Sequence, residues 1–205
     1  CTAREGACKL TGADGKPTPH FASLADGEAY LAQQENAYKG GFTAANNNGS
    51  GQIVAAGTLD RLQALRDDPP ARARVIPLSV AGAFHTAHMA PARPRLAELA
   101  ATMTTSDPIT RLLSNRDGEV VASGAEYLER LVAQVTTPVR WDLCMDTMRG
   151  LGATGLLELP PAKTLTGIAK RNLKGVELFS LNTPDQIDEA LAFCQGHAGT
   201  TAQEV

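Results

Sequence analysis

Between Ala73 and Met89 the chain reads ARVIPLSVAGAFHTAHM. Branched apolar residues crowd Val75–Val80 and predict a strand. Gly82 and Ala83 end it and lead into Phe84, His85 and Thr86. Upstream, Phe42–Ala45 and Gln52–Ala56 have the pattern of two short strands. The polar run Asn46, Asn47, Asn48, Gly49, Ser50, Gly51 between them is rich in residues that accept positive φ, and predicts a tight turn. Thr58 then stands as an N-cap, with Leu59, Leu62 and Leu65 on one helical face and Pro69–Pro70 as the stop. Strand, strand, helix, strand suits a small α+β unit with an antiparallel sheet.

Past His85 the periodicity alternates between 3.6 and extended. Leu96, Leu99 and Met103 share one face of a broken helix over Met89–Met103. Ile109–Leu113 is apolar and strand-like, Asn115–Gly118 is a turn, and Glu119–Ala122 follows it. Ser123 and Glu126 fit a capping box for a helix through Val135. Pro138 is placed to open another helix with Val139, Leu143 and Met148 on one side, closed by Gly150 and Gly152. Gly155–Leu159 and Val176–Leu181 read as strands. Thr164–Leu173 between them reads as a helix burying Leu165, Ile168, Ala169 and Leu173. Thr183, Pro184 and Gln186 occupy N-cap, N1 and N3 of a last helix.

Residues 1–41 are the least patterned. GADGKPTP reads as loop, Ser23–Tyr38 as a helix with a partial apolar face, and His20 as a surface residue.

Composition narrows the class. Of 205 residues, 43% are hydrophobic and 20% charged, enough for a globular core. A net charge of −3 argues against nucleic acid as a partner. No apolar run approaches the roughly 20 residues of a membrane span, and no basic-apolar leader opens the chain, so a soluble, cytoplasmic protein is expected. Cys1, Cys8, Cys144 and Cys194 lack zinc-ligand spacing. Cys144 sits among apolar helix residues as core, and a Cys1–Cys8 bridge is one option. No metal and no bound cofactor are expected. His85 is the candidate base, since imidazole alone among side chains has an unperturbed pKa near neutrality. On spacing alone a lone histidine is more often a structural hydrogen-bonder than a base.

The segments NNNGSGQIVAAGT, VIPLSVAGAFHTAHMAPA, LLSNRDGEVV, QVTTPVRWDLC and LLELPPAKTLTGIAKR run in that order between residues 42 and 190. In this the chain resembles the bacterial malonyl-CoA:acyl carrier protein transacylases, over their carboxy-terminal two thirds. The resemblance implies an α/β fold. Residues 81–205 would be part of an α/β-hydrolase-like acyltransferase core, residues 42–80 a ferredoxin-like subdomain, and residues 1–41 an unassigned leader outside the match. It also implies a ping-pong acyl transfer. A serine attacks malonyl-CoA, and a histidine at the position of His85 serves as base and then acid. The phosphopantetheine thiol of acyl carrier protein, the partner, then takes the malonyl group in fatty acid or polyketide biosynthesis.

By the same resemblance, the backbone carbonyl of Gln134 orients His85. Asn46 and Asn48 line the cleft, and Phe84 favours malonyl over methylmalonyl by filling the space of an α-methyl group. No serine in the chain stands in a Gly-x-Ser-x-Gly frame. The chain thus carries the histidine of the pair and not the serine. A non-catalytic acyl-carrier or CoA-binding fragment, or a structural remnant needing another chain, are the alternatives. Lys163, Lys170, Arg171 and Lys174 make a basic, acid-free segment, with Arg140 and Arg149 expected on the preceding helix. Lys170 and Arg171 are the candidate contacts to an acidic carrier protein, although cations near a helix carboxyl end are favoured in any case.

Overall fold

The computed structural model describes residues 5–12, 42–70 and 72–198. The expected helix at Ser23–Tyr38, the loop at residues 13–19, His20 and the Cys1–Cys8 pairing lie outside the described residues. The chain divides into two compact units, Cys1–Cys144 and Met145–Val205.

In the first unit β1 (Glu5–Gly12), β2 (Phe42–Asn47) and β3 (Ile53–Thr58) precede α1 (Leu59–Asp67) and β4 (Ala73–Leu78). The strands order as β4-β1-β3-β2, all antiparallel, the order of a ferredoxin-like sheet. The first strand comes from the stretch that sequence reading left unassigned. Its segment EGACKLTG is poor in branched apolar residues, and its place is set by two partners far along the chain. Leu10 pairs with Ile53 on one side and Val75 on the other.

Alternation along β2 and β3 loads both faces of this sheet. Phe42, Ala44, Ile53 and Ala55 meet Leu62 and Leu65 of α1, with Val75 packed alongside. Ala45, Val54 and Ala56 face the other way and meet Ala83, with Leu78 beside them. The α1 stripe is therefore narrower than expected: Leu62 and Leu65 are buried, while Leu59 is exposed. Only the second and third leucines reach the sheet from a helix that starts directly after β3.

A 3₁₀ turn (Ala87–Ala92) leads into α2 (Arg93–Ala100). The helix expected over Met89–Met103 is split by Pro91 and shortened. Of its apolar face Leu96 is half-buried, while Leu99, 60% exposed, and Met103 are open. The strand expected at Ile109–Leu113 shrinks to β5 (Leu112–Leu113), which pairs with β6 (Val120–Val121), and Ile109 is fully exposed. Gly118, at φ 74°, closes the turn between these strands. A Cβ there would lie 2.5 Å from the carbonyl carbon of Leu143, so the turn seats directly against that backbone.

α3 (Gly124–Gln134) begins as the sequence predicts. The Ser123 hydroxyl accepts from the N–H of Glu126 at 3.3 Å. The Glu126 carboxylate turns instead to Arg130, one helical turn on, at 2.7 Å. Arg130 is buried and also reaches Asp117 at 2.8 Å. Burial pushes the Asp117 carboxyl up, but the Glu119 N–H, Arg116 and Arg130 more than offset it and hold it below the ordinary range.

The helix expected from Pro138 starts later. Val139–Arg140 is first drawn off as a short strand, β7, parallel to Asn46–Asn47 at the sheet edge, and α4 (Trp141–Gly150) follows. Arg140 is thus a strand residue rather than a helical one, and it is paired with Asp142 at 2.9 Å. Cys144 is buried as expected, and burial, with Asp142 and Asp117 adding, pushes its thiol up to about 11.

In the second unit β8 (Gly155–Glu158) and β9 (Glu177–Ser180) run parallel, with α5 (Thr164–Asn172) as the crossover. α6 (Ile187–His197) follows a 3₁₀ turn at Pro184–Gln186 that carries the predicted capping box from Thr183 to Gln186. Ile168, Ala169 and Leu173 are buried, whereas Leu165 is exposed. Among the described residues no helix is long and apolar enough to cross a membrane.

Candidate functional site

After β4 the chain folds back onto the second sheet face through Ala83, which is fully buried. Thr86, also buried, closes the turn. Its hydroxyl donates to the Ala83 carbonyl at 2.7 Å and accepts from the His88 N–H at 3.2 Å. Between these fixed points His85 takes φ 66°, a left-handed conformation for a residue with a Cβ. Such a backbone costs on the order of 1–3 kcal/mol and persists only where its surroundings hold it.

What holds His85 is the carboxyl end of α3. The last carbonyls of a helix lack intrahelical donors, and His85 supplies two. Its backbone N–H donates to the Val135 carbonyl at 2.9 Å, and its Nδ1 lies 2.7 Å from the Gln134 carbonyl. A carbonyl only accepts, so the proton is on Nδ1, and the neutral ring then presents the Nε2 lone pair. The residue is half-buried.

Gln134 enters twice, through its carbonyl and through its side chain. The side-chain Nε2 donates to the carbonyls of Thr137 and Pro138, both at 2.9 Å. Phe84 is 42% exposed, with its ring centroid 6.5 Å from that of His85.

The asparagine segment forms its turn with Gly49, Ser50 and Gly51 all at positive φ. Asn46 is half-buried near the end of β2. Asn48 donates from Nδ2 to Gln52 Oε1 at 3.1 Å. The buried Asn47 between them accepts from the Gly49 N–H and donates to Asp142 at 3.0 Å. Asp142 in turn takes Arg140 in a two-pronged pair. Thus the turn is tied to the segment that follows Gln134.

The structure brings together His85, Gln134 and Phe84. Lys170 and Arg171 lie in the last turn of α5, in the second unit. Arg149, expected among the basic residues, is engaged by Asp146 at 2.7 Å and by the Asn172 carbonyl at 2.9 Å.

Sequence reading missed three contributors. Thr86, directly after the histidine, had a legible signal as a turn-closing hydroxyl. The Val135 carbonyl and the Asn47–Asp142–Arg140 tie had none, because each depends on a contact across tens of residues. No group of three or more His, Cys, Asp or Glu positioned for a metal occurs among the described residues.

No known family profile matches the chain. Individual relatives do. The chain is 54% identical over 145 residues to the malonyl CoA-acyl carrier protein transacylase of Mycobacterium tuberculosis, covering 71% of this chain and 48% of that protein. It is 48% identical over 177 residues to the enzyme of the same name from Mycolicibacterium smegmatis, covering 84% and 60%. A crystal structure of MCAT from Mycobacterium tuberculosis superimposes with a TM-score of 0.78 at 45% identity, over 92% of this chain and 57% of that one. A malonyl-transacylase solved in complex with a type II polyketide acyl-carrier protein superimposes with a TM-score of 0.78 at 26% identity, over 92% and 58%. The matches fall on the carboxy-terminal part of the curated relatives, and the chain spans about half to three fifths of their length. The fold is that of an α/β-hydrolase-like acyltransferase.

Proposed function

Because the chain is a homologue of the carboxy-terminal part of the malonyl CoA-acyl carrier protein transacylases, we propose that it supplies the histidine side of a malonyl transfer from CoA to acyl carrier protein. The observation that carries this reading is the bond from His85 Nδ1 to the Gln134 carbonyl, which leaves Nε2 as an acceptor. A serine hydroxyl is a poor nucleophile without such a base in reach. The serine Oγ attacks the thioester carbonyl of malonyl-CoA, and Nε2 of His85 takes the hydroxyl proton. The tetrahedral adduct expels the CoA thiolate, which recovers the proton from His85, and malonyl-serine remains. The phosphopantetheine thiol of the carrier protein then gives its proton to His85 and attacks the ester, and the serine oxygen leaves with that proton.

The polypeptide that carries the serine is not part of this sequence. Asn46 and Asn48 line the substrate side of the cleft, and Phe84 disfavours an α-methyl branch. Lys170 and Arg171 attract the acidic carrier. A cytoplasmic location and a role in fatty acid or polyketide synthesis go with this reading.

Intact-mass measurement after incubation with malonyl-CoA tests the division of labour. The chain alone stays unmodified. When it is completed with the amino-terminal part of the Mycolicibacterium smegmatis relative that it does not match, one malonyl group is gained per molecule. A stoichiometric adduct on the chain alone overturns the proposal, and absence of an adduct on the completed, folded protein favours a non-catalytic binding role.

A further inference from the structure

We propose that the Gln134 side chain is a positioning residue. Its amide sets the direction of its own backbone carbonyl and, through that carbonyl, the tautomer of the His85 ring. The inference rests on the reading of His85 as base and adds a part to it.

The helix end is where this carbonyl needs holding. After Gln134 the chain leaves α3, turns through Val135–Pro138 and enters β7. Turn peptides at a helix end are easily rotated, because their carbonyls have no ladder partner. Here the carbonyl of Gln134 has to point at Nδ1 of a ring 49 residues away. The contact from the turn itself is weak, since the Thr137 N–H lies 3.4 Å from the same carbonyl.

The side chain supplies what the backbone lacks. Both of its N–H donors run forward over the turn, one to the Thr137 carbonyl and one to the Pro138 carbonyl, at 2.9 Å each. The residue is 9% exposed, so water competes little for those two bonds. The peptide plane that carries the Gln134 oxygen is therefore held from both ends, by α3 before it and by this clamp after it. Any amino acid offers a carbonyl, but only a side chain with two donors and this reach closes the clamp. Asparagine is one methylene short, and glutamate at neutral pH has no donor.

Nitrogen-15 NMR of the imidazoles, in the chain as it exists, reads the effect. In the unmodified chain His85 carries its proton on Nδ1. In Gln134→Met, of similar length and without donors, the ratio of Nδ1–H to Nε2–H tautomer falls at least about tenfold, the scale of losing one to two neutral hydrogen bonds. Helix content by circular dichroism stays unchanged. Gln134→Glu gives the same shift and serves if the methionine variant does not fold. Independently of any variant, the two side-chain amide protons of Gln134 exchange with water more slowly than those of an exposed glutamine. An unchanged tautomer ratio in a folded variant, or fast exchange of both protons, overturns the clamp and leaves the role of His85 standing. A proton on Nε2 in the unmodified chain overturns both.

Discussion

Glu158 carries a prediction whose size follows from its surroundings. It ends β8 only 5% exposed, and its partners among the described residues are hydrogen-bond donors of the backbone and a hydroxyl. Its two oxygens cap α5. They accept from the N–H groups of Lys163 at 2.9 Å, of Leu165 at 2.8 Å and of Thr166 at 2.8 Å, and from the Thr166 hydroxyl at 2.8 Å. Burial pushes the carboxyl up. The three N–H groups and the hydroxyl, aimed by the amino end of the helix, outweigh it and bring it from 4.5 down to about 2.

A tenfold change in acidity is worth about 1.4 kcal/mol, so this difference corresponds to about 3 kcal/mol of folding stability. The folded carboxyl is the more acidic one. The contribution is therefore fully present above the unfolded value of about 4.5 and fades as pH falls towards about 2. In Glu158→Gln an NH₂ group faces donors it cannot satisfy. Urea titration followed by circular dichroism should show the variant about 3 kcal/mol less stable at neutral pH, with the gap closing as acid neutralises the wild-type carboxyl. A gap below about 0.5 kcal/mol at neutral pH, or one that persists undiminished in acid, would refute the reasoning.

Other consequences are as direct. Arg130→Met removes a buried cation from between Asp117 and Glu126; both acids remain open to water, so the loss in thermal or urea unfolding is about 2 kcal/mol rather than the roughly 3–5 of a fully buried pair. Gly118→Ala places a methyl group against the Leu143 backbone and forces a left-handed alanine, and should cost at least about 1–2 kcal/mol in the same assay. In the completed enzyme, Phe84→Ala opens the space of an α-methyl group and should raise the methylmalonyl-to-malonyl ratio of kcat/KM by roughly tenfold or more. Charge reversal at Lys170 and Arg171 should raise KM for acyl carrier protein and leave malonyl-CoA hydrolysis unchanged. That difference should shrink in high salt, as screening over about 8 Å at physiological ionic strength demands.

Features written in a few adjacent residues were legible. The caps at Ser123 and at Thr183 with Gln186, the asparagine-glycine turn and the strand leading to His85 all sit where local chemistry puts them. Features that depend on distant partners were not. β1 is a strand because β3 and β4 flank it, and nothing in EGACKLTG announces that. Pro138 is a sound helix opener, yet pairing with Asn46 and Asn47 takes Val139 and Arg140 first. Periodicity showed an apolar face over Met89–Met103 but not whether anything covers it, and Leu99 and Met103 stand exposed. At the candidate site, resemblance pointed to His85 but not to its geometry. Its left-handed backbone, and the two α3 carbonyls it caps, emerge only when residues 85 and 134–135 meet in space.

The central claim is that His85 is the base of the acyl transfer. The most direct test is the rate of malonyl transfer to acyl carrier protein by the completed enzyme with His85→Ala. If the serine depends on the Nε2 lone pair, kcat should fall by on the order of 10³-fold or more while the protein remains folded. A rate within a few-fold of the unmodified enzyme would mean that another group takes the proton, and would contradict the account.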